Sequence, residues 1–216
     1  MLRQVSSFLL FMLLLAFAGG ATAQDYYSST YQYKPISLGI TFSPSMAWMR
    51  YSETDEYEGS AKLSYAYGLL ADFAFSENYY FSSGLLINTL NAESKGPIGT
   101  NSPNRDYRIQ YAEIPLALKL KSTQRYFRSY YGLFGFTAGF KLSAKEKIQG
   151  NPNRTTLGDN ADLLRLALQI GGGVEWQLDH NLVMMTGLSF NNGLTRAIDI
   201  GEPKNSYAAF NFAIFF

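Results

Sequence analysis

From about residue 36 onward the chain alternates bulky apolar and small or polar side chains at every second position. The pattern is clearest in 61–76, where Leu63, Tyr65, Tyr67, Leu69, Ala71, Phe73 and Phe75 fall on one face. Lys62, Ser64, Ala66, Gly68, Leu70, Asp72, Ala74 and Ser76 fall on the other. A second such run is 164–178, with Leu164, Leu166, Leu168, Ile170, Gly172, Val174, Trp176 and Leu178 opposed to Arg165, Ala167, Gln169, Gly171, Gly173, Glu175 and Gln177. A repeat of two belongs to strands, whose successive side chains point to opposite faces; a helix would space them by three and four.

Six more segments read the same way with more noise: 36–49, 79–91, 107–121, 130–145, 182–195 and the closing 206–216. In 107–121 the phase breaks. Ile109 and Tyr111 lie on the face opposite to Ile114, Leu116, Leu118 and Leu120. That predicts either a bulge near Glu113-Ile114-Pro115, where Pro115 lacks a ladder donor, or a strand that projects beyond a bilayer.

The connections alternate in length. Glu77-Asn78, 122–128 and Asp179-His180-Asn181 are short, whereas 52–59, 93–105, 146–160 and 197–205 are long and rich in Gly, Pro, Asn and charge. Short turns at one end and long loops at the other are the asymmetry of outer-membrane barrels, with the turns periplasmic and the loops extracellular. The expected fold is therefore all-β, an eight-stranded antiparallel up-and-down transmembrane β-barrel over residues 35–216.

Alternation alone does not say which face meets lipid, because a soluble sandwich or lipocalin-like barrel gives the same pattern. Volume decides it. The interior of an eight-stranded barrel is just wide enough to be filled by side chains, and roughly four or five large residues per strand would overfill it. Small residues therefore line the inside, as Gly135, Thr137 and Gly139 do opposite Phe134 and Phe136. Aromatics placed near the turns (Phe75, Tyr79, Tyr126, Phe127, Tyr130, Trp176) and towards the loops (Trp48, Tyr51, Tyr65) suit the two membrane interfaces.

The amino terminus supplies a compartment. Arg3 precedes the apolar run 8–17, and Ala21-Thr22-Ala23 fits a cleavage site, so residues 1–23 read as a cleaved secretory signal and 24–34 as a short periplasmic segment. The chain has no cysteine, which excludes disulfides and a lipidated cysteine. A net charge of +1 without charge blocks argues against nucleic-acid partners. At the other end Phe210, Phe212, Ile214 and Phe216 form an alternating apolar face that resembles the aromatic signal read by the barrel assembly machinery.

If the small face is the inner one, Lys62, Asp72, Glu113, Lys119, Lys141, Arg165 and Glu175 project into the lumen. Asp72, Lys119 and Glu175 lie near the turns, and Glu113, Lys141 and Arg165 lie in the outer half, so each level holds both signs. The expected role is a structural polar network, since an unpaired buried ion costs several kcal/mol; a narrow ion path is the alternative. A lipid-modifying enzyme comes third. The single histidine, His180, sits in a short turn at the periplasmic end, and neither a Gly-x-Ser-x-Gly elbow nor a His-Glu-x-x-His motif occurs. Asp55, Glu56 and Glu58 in the first loop could hold a cation only weakly. No catalytic residue, cofactor or metal is expected.

The segment Tyr111-Ala-Glu-Ile-Pro-Leu-Ala-Leu-Lys-Leu-Lys121 and the Gly-aromatic strand 131–140 resemble the PorT-like, porin-family outer-membrane barrels of Bacteroidota. The resemblance covers essentially the whole mature chain and implies an outer-membrane location. Some relatives serve type IX secretion and gliding, so it also implies secretion-system or cell-surface partners beside outer-membrane lipid.

Overall fold

The computed structural model describes residues 34–51, 58–95, 103–150, 153–157, 161–198 and 202–216. The signal at 1–23, most of the segment 24–34, and Asp55 and Glu56 lie outside these residues, as does the side chain of Glu58.

The strands are β1 (Ile36–Arg50), β2 (Glu58–Ser76), β3 (Tyr79–Lys95), β4 (Arg105–Lys121), β5 (Arg128–Ile148), β6 (Thr155–Thr156), β7 (Leu164–Gln177), β8 (Val183–Gly193) and β9 (Lys204–Phe215). Each of the eight long strands pairs antiparallel with its sequence neighbours, and β1 pairs with β9, so the sheet closes on itself. The short β6 is an addition at the rim, pairing with Lys145 and Glu146 of β5. Among the described residues there is no helix. Closure removes every unpaired edge, the condition for a sheet to cross lipid.

Several strands run further than the alternation of apolar residues suggested. β2, β3, β4 and β5 extend into the segments expected to be long loops, through Glu58, Lys95, Arg105 and Ile148. The hydrogen-bond ladder does not need apolar side chains once it has left the bilayer, so periodic hydrophobicity ends before the strand does.

The phase break in β4 has a different cause from the one anticipated at Glu113-Ile114-Pro115. Tyr107, Ile109, Tyr111, Glu113, Pro115, Ala117 and Lys119 are all buried, on one uninterrupted inward face. The irregularity sits on the neighbouring strand: Gln110 faces Ser143 and Tyr111 faces Lys141, which leaves Leu142 as an extra residue of β5. The apolar residues Ile109 and Tyr111 point inward because the upper lumen is filled by a hydrophobic core.

Outside, Ile40, Phe42, Leu69, Phe73, Leu116, Leu118, Phe134, Phe136, Ile170, Leu188 and Phe210 are exposed, forming the apolar belt that a bilayer covers. Inside, the lumen holds more large side chains than volume alone allowed, among them Tyr80, Tyr107, Tyr111, Tyr131, Tyr207, Leu90, Met185 and Phe215. Glycines make the space. A Cβ on Gly187 would lie 2.2 Å from the Tyr131 hydroxyl, so the tyrosine lies across a wall stripped of side chains. A Cβ on Gly139 would lie 3.2 Å from Cγ of Glu113 and 3.4 Å from Cβ of Arg165.

Candidate functional site: the closed lumen

Inward parity brings the charged residues of β2, β4 and β7 to one level near the short turns. Lys119 is 1 % exposed and its Nζ lies 2.5 Å from both Asp72 Oδ2 and Glu175 Oε1. Lys121, two residues along the same face, reaches Glu175 Oε2 at 2.5 Å. Ser82 donates to Asp72 Oδ1 at 2.6 Å. Two ammonium groups meet two carboxylates, so the level is neutral, and a buried ion survives only when so matched. Aromatic faces complete the solvation: Lys119 lies over Tyr131 and Phe215 at 5.1 and 4.9 Å, and Lys121 over Tyr80 at 4.7 Å.

A second level lies further from the turns. Arg165 Nη1 donates to Glu113 Oε1 at 2.9 Å, and Nη2 donates to the Asn205 carbonyl at 3.0 Å. The other carboxylate oxygen of Glu113 accepts from Asn88 Nδ2 and from the Tyr207 hydroxyl, each at 3.0 Å. The Arg165 guanidinium also lies over the Tyr207 ring at 5.2 Å. Between the two levels is a cavity of about 60 Å³ lined by Ser43, Leu70, Gln169, Met185 and Asn211 among others. It has room for a few waters only.

Above Arg165 the lumen is closed by an apolar core. Ala47, Met49, Leu90, Ala92, Tyr107, Ile109, Tyr111 and Ala144 from the wall pack with Leu157, Ala161, Ala197 and Ile198 from the connections on either side of β7 and β8. A backbone bridge between Ala161 and Ile198 and the bond from Leu157 N to the Ala144 carbonyl hold those connections in place.

Of the seven residues placed in the lumen by parity, Asp72, Lys119 and Glu175 meet in the lower level and Glu113 and Arg165 in the upper. Lys141 does not join them, and its ammonium bonds the Ala161 carbonyl of the folded-in connection. Lys62 joins neither level. A bulge between Ala61 and Tyr65 disturbs the pairing of β2 with β3, and Lys62 instead meets Asp106 at 2.5 Å and Glu93 at 3.5 Å, a third of its side chain exposed. Lys121, Ser82, Asn88 and Phe215 escaped the sequence reading. Lys121 and Phe215 share the parity of Lys119 and Ala213 and were open to that argument; the partners of Asp72 and Glu113 needed the register. On the outer face of β9 Phe210 and Phe212 are exposed and Ile214 is partly so, and Phe216, just past its end, is exposed as well.

His180 is fully exposed in the turn after β7. Its amide donates to Asp179 Oδ1 at 2.8 Å, and chiefly that bond holds the Asp179 carboxyl below its ordinary range. The imidazole Nδ1 lies 3.5 Å from the same Asp179 oxygen, and both side chains are open to solvent. Among the described residues no three His, Asp or Glu side chains gather as a metal site.

A closed eight-stranded antiparallel sheet with an apolar exterior and a packed, charge-matched interior defines the class of outer-membrane β-barrel proteins. The chain belongs to the family described as outer membrane protein beta-barrel domain, whose profile matches residues 17–199. That membership places it in the Gram-negative outer membrane. Among solved structures it is similar to neisserial surface protein A, at 8 % identity and a TM-score of 0.52, covering 84 % of this chain and 96 % of that one. It is also similar to OprG of Pseudomonas aeruginosa (9 % identity, TM-score 0.47, covering 83 % of this chain and 93 % of that one). The attachment invasion locus protein Ail of Yersinia pestis matches at 13 % identity and a TM-score of 0.40, over 85 % and 100 %. No curated protein matches the chain.

Proposed function

We propose that this chain is a non-enzymatic, non-conducting outer-membrane barrel whose work is done by its extracellular loops, held on a wall made rigid from within. The observation that carries this reading is the series of closures along the lumen: a neutral ion cluster, an Arg165–Glu113 cluster and an apolar core. An ion crossing the barrel would have to displace all three. The inner residues Asp72, Glu113, Lys119, Arg165 and Glu175, with Lys121, serve structure. Lys141 ties down the cap.

The PorT-like segment 111–121 supports a finer role as an accessory to secretion or the cell surface. Residues 1–23 act as a removed signal on this reading, and the outer face of β9 with Phe216 as the address for the assembly machinery. Single-channel recording of the purified protein in planar bilayers tests the reading: neither wild type nor Glu113→Ala gives resolved steps, whereas steady steps from wild type would make the channel the correct function. Copurification from intact outer membranes would name the loop partner.

A further inference from the structure

The outward side chains of β1, β9 and β8 change character with height along the seam that closes the barrel. Near mid-wall Ala208 lies in register between Met46 and Phe190, with Phe210 and Leu188 paired one step below. A methyl group flanked by large neighbours leaves a notch, and here it widens into an apolar groove of about 630 Å³ that Pro44 and Leu63 also line. One step above, Trp48 stacks on Phe190 with ring centroids 6.0 Å apart. One step higher again, Arg50 stands directly opposite Lys204.

Two cations facing each other across a strand pair repel. Nothing acidic among the described residues relieves them. Arg50 bonds only neutral groups, donating to Asn192 Oδ1 at 2.8 Å and to the Gly193 carbonyl at 3.4 Å. Asn192 is itself fixed by Ser206, whose hydroxyl lies 3.3 Å from the same oxygen, so the guanidinium is held in place. Among the described residues Lys204 has no ion-pair partner. The neighbouring acids Asp162 and Glu202 are both taken by Arg196. The pair sits at the loop end of the strands, where the outer-leaflet headgroups lie, and four residues of strand, roughly 13 Å, separate Arg50 from Met46 in the groove.

We propose that this seam binds one phosphorylated, acylated lipid of the outer leaflet, with its phosphate between Arg50 and Lys204 and an acyl chain in the groove over Ala208. The phosphate supplies negative charge between the two cations through charge-assisted hydrogen bonds. The chain fills a hollow that ordinary lipid packing would bridge poorly. The site adds to the loop reading and does not depend on it; it requires only that the long loops face outward.

The test uses the full barrel with Trp176→Phe, which leaves Trp48 as the one indole beside the groove. Refolded in a nonionic detergent, it is titrated with bisphosphorylated lipid A, with dephosphorylated lipid A and with inorganic phosphate. Trp48 emission and native mass spectrometry follow the binding. The expected result is saturable uptake of one lipid A, weakened at least tenfold by removal of its phosphates, by Arg50→Gln with Lys204→Gln, and by Ala208→Phe. Heat-modifiable migration confirms that each variant is folded, which the outward location of all three positions favours. Equal binding by both variants, equal binding of the dephosphorylated lipid, or inorganic phosphate binding as tightly as the lipid would each overturn the proposal. A barrel that loses every loop partner while keeping this binding would separate the two readings.

Discussion

Arg165 and Glu113 offer the sharpest quantitative test of the lumen. Both side chains are essentially inaccessible, at 2 % and 0 % exposure, and they share one short bond. Arg165→Met keeps much of the volume and removes the charge. Glu113 then remains buried with only Asn88 and Tyr207 as donors. Breaking one side of a buried pair costs about 3 to 5 kcal/mol because the partner ion is stranded. Glu113→Leu should cost a similar amount, since Arg165 would lose its carboxylate and keep the Asn205 carbonyl and the faces of Tyr207 and Tyr111. The double variant strands no ion and should lose less than the sum of the singles by about 2 kcal/mol or more, the signature of direct coupling. Reversible urea unfolding in lipid vesicles, followed by heat-modifiable migration, measures all three. Additive losses, or singles within about 1 kcal/mol of wild type, would refute a buried, mutually dependent pair and imply that water reaches the upper lumen.

Gly187→Ala should destabilise by about 1 to 3 kcal/mol, because the new methyl meets the Tyr131 hydroxyl and the Gly172 carbonyl. Tyr131→Phe should return part of that loss in the same unfolding assay, and no rescue would place the strain in the backbone alone. Leu168→Arg, on the outer face opposite the exposed Phe136, should cost roughly 2 to 4 kcal/mol at mid-bilayer; tolerance equal to that of a loop substitution would mean the faces are inverted. His180→Ala should leave the lipid composition of the outer membrane unchanged, and an altered lipid A would reopen the enzymatic reading.

How much of this was legible in the chain depended on the distance over which each determinant acts. Parity is local, so the two faces of 61–76 and 164–178 and the inward direction of Asp72, Lys119, Glu175, Arg165 and Glu113 could be read from neighbours two residues away. Partnership is not local. Lys119 meets Glu175 from β7 only because shear and register bring distant strands to one height, and nothing near residue 119 encodes that height. Bulges defeat parity outright: one beside Lys62 sends its ammonium to Asp106 and Glu93, and the extra Leu142 shifts the phase of β5 above Lys141. The aromatic filling of the lumen was hidden for a related reason. Gly187 and Tyr131 are far apart in sequence, and the space the one vacates for the other exists only in the folded barrel.

The bulky face meets lipid and the small face encloses a lumen shut to solvent, and both halves of that statement can be measured at once. The chain has no cysteine, so single labels can be placed at will. Spin labels at Phe210→Cys and Phe212→Cys, and at Ala209→Cys and Ala213→Cys, should be compared in vesicles for collision with lipid-soluble oxygen and with a water-soluble nickel complex. The two outer positions should collide freely with oxygen, and the two inner positions should be shielded from both reagents. Nickel access at Ala209 and Ala213 would mean an open aqueous lumen, and oxygen access there instead of at Phe210 and Phe212 would mean that the barrel has been turned inside out.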